Sequence, residues 1–155
     1  MPHNPISFEP NGLYILLSDL GSEWQFHWAF YLAMTAHSGR ILHLINNIDT
    51  DHVWKYVSRF MVGVPKTSTL LVALKIAVMD PVLHEPLDSR LAAVSQAPPV
   101  TCRTWLRRAL EILDDEGFIK LTGCVEDLEL EVESKAVGNR AMNCRTAEVS
   151  ELIVA

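Results

Sequence analysis

The chain has 155 residues, 49% of them hydrophobic and 21% charged, the composition of a globular protein and not of a disordered or fibrous one. A core of this size buries roughly 70% of the surface that an unfolded chain exposes, so a single self-sufficient domain over residues 1–155 is expected. Thirteen Lys and Arg against nineteen Asp and Glu leave a formal charge of -6, which speaks against nucleic acid, because a phosphate backbone is held by clustered cations.

The opening residues, MPHNPISFEPNG, have neither a charged n-region nor an apolar h-region. The apolar run TLLVALKIAVM is interrupted by Lys75 and falls short of the roughly 20 residues that cross a bilayer. A soluble cytoplasmic protein is therefore expected, with no transmembrane segment. Its three cysteines, Cys102, Cys124 and Cys144, are odd in number and widely spaced. They suit free thiols in a reducing compartment better than a disulfide framework or a paired-cysteine zinc site.

In chain order, GLYILLSD (12–19) reads as a buried strand, with Asp19, Gly21 and Ser22 forming a turn behind it. FHWAFYLA (26–33) and RILHLINN (40–47), rich in aromatic and branched residues, read as two strands joined by the loop MTAHSG. DHVWKYVSRFM (51–61) and STLLVALKIAVMD (68–80) are assigned as strands too, the second closed by Asp80-Pro81. PLDSRLAAVSQ (86–96) is a short helix that Pro98 and Pro99 must follow and not continue.

TCRTWLRRALEILDDEGF carries the clearest helical period: Cys102, Leu106, Ala109, Leu110 and Leu113 form one apolar stripe. Arg103, Arg107, Arg108, Glu111 and Asp114 face away from it. Thr101 is the expected N-cap and Gly117 the C-terminal stop. VEDLELEVESKAV (125–137) is an acidic helix whose charges are expected to solvate an exposed face. TAEVSELIVA is expected to form a last helix or to fray, and the CRT echo at 102–104 and 144–146 is too short for a repeat.

Two histidines stand among core-forming residues of the central hairpin. If its strands pair around a turn centred near Thr35, His27 lies opposite His43, and both imidazoles leave the same face. A slip of two residues preserves that result and a slip of one destroys it. Cys102 falls at the first turn of the best helix, where free N–H groups and the helix dipole favour thiolate and can hold an oxyanion. A nucleophile, a base and a group that orients the base make a recognised chemical set. Each residue also has a plain structural reading, as a hydrogen-bonded core histidine or an inert buried thiol. A zinc site from His27, His43 and Cys102 lacks ligand-motif spacing, and neither metal nor cofactor is expected.

HWAFYLAMTAHSGRILHL resembles the strand pair His-Trp-Ala/Gly-x-Tyr-x and Gly-x-x-x-His-Leu of the lecithin retinol acyltransferase-like and phospholipase-acyltransferase proteins. These form a circularly permuted branch of the NlpC/papain-like superfamily, with the histidine before the cysteine. CRTWLRRALEIL is similar to the family's Asn-Cys-x-x-Phe/Trp helix start, with Trp105 in the aromatic place, and to a helix of small fungal relatives. The resemblance implies His27 as general base, His43 as its orienter and Cys102 as nucleophile. Thr101 replaces the family asparagine, the two histidines stand further apart than usual, and the anchoring tail of the phospholipase members is not expected here. Gln25 replaces a tyrosine found in some relatives and is a candidate oxyanion donor. Cys144, in Met142-Asn143-Cys144, is the rival nucleophile, without an aromatic at the matching place; Cys124 reads as structural.

An α+β domain is thus expected, a small antiparallel sheet holding His27 and His43 packed against the Cys102 helix in permuted papain-like fashion. The expected activity is acyl transfer or hydrolysis through an acyl-enzyme, on a small-molecule, lipid or peptide ester, thioester or amide. The alternative is an inactive member of the same fold that binds a partner.

Overall fold

The computed structural model describes residues 6–21, 25–64 and 69–154. They form a mixed α+β arrangement: β1 (Gly12–Asp19), β2 (Phe26–Ala33), β3 (Ser38–Ile45), β4 (Lys55–Val62), β5 (Leu70–Val78), α1 (His84–Ala92), α2 (Cys102–Asp115), α3 (Val125–Ala141) and β6 (Thr146–Val149). The strands make one sheet in the order β4-β3-β2-β1-β5-β6. All neighbours are antiparallel except the parallel pair β5 and β6. Ser22, expected in the first turn, and Ser68, expected at the head of the fifth strand, lie outside the described residues.

Both faces of the central strands are covered, which is why GLYILLSD reads as a continuous apolar run. Leu13, Ile15 and Leu17 of β1 pack with Trp28, Phe30, Leu42 and Leu44 against Trp105, Leu106, Leu110 and Leu113 of α2. Tyr14, Leu16, Tyr31 and Ala33 point the other way and share a smaller cluster with Phe8 and Val64. The expected stripe of α2 is buried throughout, and Trp105 joins it, fully buried between Phe30 and Tyr56. Thr101 caps the helix reciprocally with Thr104, and Gly117, at φ +83°, ends it in a conformation that costs glycine nothing. No helix among the described residues is long and apolar enough to cross a membrane.

Element boundaries moved where side chains bind backbone. Residues 51–54 are not strand: Asn47 caps a 3-10 turn at Ile48–Thr50, and Asp51 and His52 follow in the left-handed region, so β4 starts at Lys55. Likewise α1 begins at His84, two residues before the expected start, led in by a 3-10 turn that Asp80 caps. Asp88 then ties α1 to the sheet edge, accepting from Tyr56 Oη at 2.6 Å and Ser58 Oγ at 2.8 Å.

Two expectations for the last third are corrected. Over its described residues, 146–154, the segment TAEVSELIVA is neither helix nor frayed: Thr146–Val149 adds a parallel strand to β5, offering it a ladder that a short helix would leave unpaired. Nor does the acidic face of α3 merely meet water. Glu126, Glu129 and Glu133, at i, i+3 and i+7, line up on Arg107 and Arg103 of α2. Side-chain exposures of 14% for Glu129 and 16% for Glu133 show how far α2 covers them.

Register in the central hairpin is set at its turn. Phe30 pairs with Leu42 and Ala33 with Gly39, two residues away from the pairing that would set His27 opposite His43. The slip is even, so both histidines keep one face. Strand β3 also begins at Ser38, not at Arg40, because Thr35 Oγ1 accepts from the N–H groups of His37 and Ser38 and closes the turn early. A Cβ on Gly39 would strike the Leu32 carbonyl oxygen and meet the Tyr31 ring at 2.7 Å. Tyr31 lies across the space that Gly39 leaves, which gives the Tyr and Gly of the two strand motifs a shared packing role. Gly39→Ala is expected to lower unfolding free energy by about 1–3 kcal/mol, the cost of overpacking, measurable by denaturant titration.

Candidate active site

Two of the three expected residues, His27 and His43, meet where the hairpin opens. The β2–β3 ladder runs only from Ala33↔Gly39 to Phe30↔Leu42, while β2 stays paired with β1 down to Phe26 and β3 with β4 down to Ile45. Below Phe30 the two strands therefore part into a fork. Across it His27 Nε2 and His43 Nδ1 are hydrogen-bonded at 2.8 Å, with the rings edge to face at 70°.

The fork matters because the histidines and the cysteine come from opposite sides of the sheet. Trp28, Leu42 and Leu44 face the helices, so alternation turns His27 and His43 to the other face, contrary to the expectation that α2 packs on the histidine face. Bulk decides this: Phe26, Trp28, Phe30 and Leu32 make the larger apolar set and take the helix side. Cys102 belongs to that helix-side core and is 8% exposed. It shares that core with Trp28, the residue after His27, and the backbone of Trp28, Arg103 and Cys102 favours its thiolate. No hydrogen bond joins the sulfur to either imidazole among the described residues.

Electrostatics differ from the expectation of a lowered thiol pKa. Burial pushes the Cys102 thiol up, and the backbone of those three residues and the Arg103 charge pull it back only in part. Desolvation of a sulfur anion inside a core outweighs the donors that a helix start and one strand residue offer. Both imidazoles move down: His27 through burial, and His43 to about 3 through burial, then the neighbouring His27, then Arg59. Thiol and imidazoles are all neutral at pH 7.

A neutral imidazole pair sharing one hydrogen bond has two tautomeric arrangements. When His27 Nε2–H donates to His43 Nδ1, His27 Nδ1 keeps a bare lone pair. That nitrogen is the one nearer its own main chain. The reverse arrangement puts a proton on Nδ1 and leaves the bare lone pair on His43 Nε2.

Gln25 is exposed directly ahead of β2, its carbonyl accepting from the Leu20 N–H at 3.3 Å. Cys144 does not open a helix; it follows the C-terminus of α3, half-buried, with Sγ donating to Asn139 Oδ1 at 3.5 Å. Cys124 is exposed at the N-cap of α3, where its side chain makes no capping bond. Sequence reasoning missed Arg103, whose guanidinium covers the Trp28 ring at 4.6 Å while bonded to Glu129 and Glu133. Its signal was the i, i+4 spacing of Arg103 and Arg107 facing the spaced glutamates of a second helix. No protein-family model, curated protein or solved structure matches the chain.

Proposed function

We propose that the protein is a cysteine-dependent acyl-transfer enzyme, of the permuted papain-like kind its hairpin and helix motifs resemble. The observation that carries this is the His27 Nε2 to His43 Nδ1 bond at 2.8 Å, next in the chain to Trp28, which packs in one core with Cys102. A pair of histidines placed only to fill a core would not need an open strand fork above a helix start.

In this reading the resting site is a neutral thiol and a neutral base, not a preformed ion pair. His27 Nδ1 takes the thiol proton as sulfur attacks the acyl carbon, and His43 keeps the imidazole oriented. The N–H groups of Cys102 and Trp28, with Gln25 as a candidate side-chain donor, receive the developing oxyanion. Collapse breaks the bond to the leaving oxygen, nitrogen or sulfur, which takes the proton from His27. Water, an alcohol or an amine then attacks the thioester, giving hydrolysis or transfer. The substrate class is an ester, thioester or amide carried by a small molecule, lipid or peptide, and the setting is cytoplasmic.

A non-catalytic binding protein on the same scaffold is the second reading, favoured by the buried thiol and by the absence of a thiol–imidazole bond. Two reagents separate them. Iodoacetamide, which needs preformed thiolate, is expected to modify Cys102 only as pH rises past the ordinary thiol range of about 8.5, because burial raises its pKa. Activated aryl and thioester acyl donors, which can use a base during attack, are expected to acylate Cys102 near neutrality, read by peptide mass mapping. A panel of such donors that leaves Cys102 unmodified while marking Cys124 would sink the catalytic reading.

A further inference from the structure

Arg103 is held in a way that its neighbours on α2 are not. Its Nε donates to Glu129 and its Nη1 to Glu133 at 2.6 Å, and its guanidinium carbon lies over the Trp28 ring. Both donor edges and one flat face are therefore engaged, by two carboxylates of α3 and one indole of β2. Arg107, one turn on, has ion pairs with Glu126 and Glu129 and is 44% exposed. Trp28 in turn sits below Phe30, where β2 has lost its ladder to β3, so this stretch is restrained from that side by side chains alone. It is also where Trp28 packs in one core with Cys102, the residue just ahead of Arg103.

We propose that Arg103 is a positioning residue for Cys102: braced by Glu129 and Glu133, it clamps Trp28 and so fixes the sheet side of the core in which the neighbouring Cys102 sulfur packs. The proposal deepens the reading of Cys102 as nucleophile and rests on it. The guanidinium carries its charge beside two carboxylates, which offset much of it, so placement is the larger part of its role. Lysine keeps the charge but has neither a flat face nor a fork, and it cannot make the three contacts together.

The test compares Arg103→Met, Arg103→Lys and Arg107→Met in the full chain, following Cys102 alkylation by iodoacetamide against pH and acylation by an activated donor. Arg103→Met is expected to shift the alkylation profile upward by about one pH unit, a roughly tenfold loss of thiolate below the midpoint. Arg103→Lys is expected to fold and to show the same shift in part, with acylation slowed severalfold, and it carries the test if the methionine variant does not fold. Arg107→Met, which also loses an α2–α3 tether, is expected to keep the wild-type profile.

An unchanged profile in both Arg103 variants overturns the proposal. So does an equal shift in Arg107→Met, which would mean that helix docking alone is being read. Alkylation needs no turnover, so the two readings fail separately. A profile that depends on Arg103 in a protein that no donor acylates removes the catalytic reading and keeps the clamp. Acylation that needs Cys102 but ignores Arg103 removes the clamp alone.

Discussion

Cys102→Ala is expected to abolish the acyl adduct and to lower turnover on the order of 10⁴-fold or more, since it removes the atom that forms the covalent intermediate. Cys102→Ser is expected to fall nearly as far. A hydroxyl is a far weaker nucleophile than a thiol at neutral pH, and burial disfavours its anion as it does the thiolate. The two variants should stay folded: Cys102 packs at the head of α2, while the cap is made by Thr101 and Thr104 and the helix is seated by Trp105, Leu106, Leu110 and Leu113. Thermal melts alongside acyl-donor turnover check that the loss is chemical. Parallel Cys124→Ser and Cys144→Ser variants are expected to retain activity, because one thiol is exposed at a helix cap and the other is bonded to Asn139. Activity that survives Cys102→Ala and disappears with Cys144→Ser would transfer the nucleophile to the second CRT.

His27→Ala is expected to cost about 10²–10⁴ in kcat/KM, the range for losing a positioned general base. His43 acts through His27, so its substitutions should separate by chemistry and not by size. His43→Asn keeps a polar atom near the Nδ1 position and is expected to retain most activity. His43→Phe leaves His27 Nε2 without an acceptor, frees the wrong tautomer, and is expected to cost on the order of 10². If asparagine and phenylalanine are equally poor, His43 is a packing residue and not an orienter.

Acid pH gives the same pair a second readout. Both imidazoles titrate below their ordinary value of 6.5 when folded, so the unfolded chain binds more protons in the interval beneath it. Stability is therefore complete above about 6.5 and declines as pH falls, until the folded imidazoles protonate, for His43 at about 3. Denaturant titration at a series of acid pH values is expected to show this slope, reduced in His27→Ala and His43→Phe. The base stays neutral over the same interval, so the acid limb of kcat/KM should lie below 6.5. A limb above that value would contradict the burial of the pair.

Strands β1 and β2 match the expected spans residue for residue, and α2 matches in its cap, its stripe and its stop. These elements declare themselves locally, through period, caps and a glycine with positive φ. Two of the corrected readings depend on partners far along the chain: β6 is a strand because β5 has a free edge, and the acidic run of α3 finds its cations on α2. No local window contains both halves of either pair, whereas β4 was shortened by a nearby cap, Asn47.

The candidate site divides in the same way. From the sequence alone, His27 and His43 share a face, because every register that keeps the hydrophobic pattern differs by an even number of residues. Cys102 likewise opens a capped helix whatever that helix packs against. Only the tertiary structure decided that the helices cover the face opposite the histidines, that β2 and β3 part below Phe30, and that Arg103 lies locked over Trp28. It also decided the sign of the thiol's displacement: a helix start lowers a cysteine pKa only while the sulfur keeps its water, and packing α2 onto the sheet takes that water away.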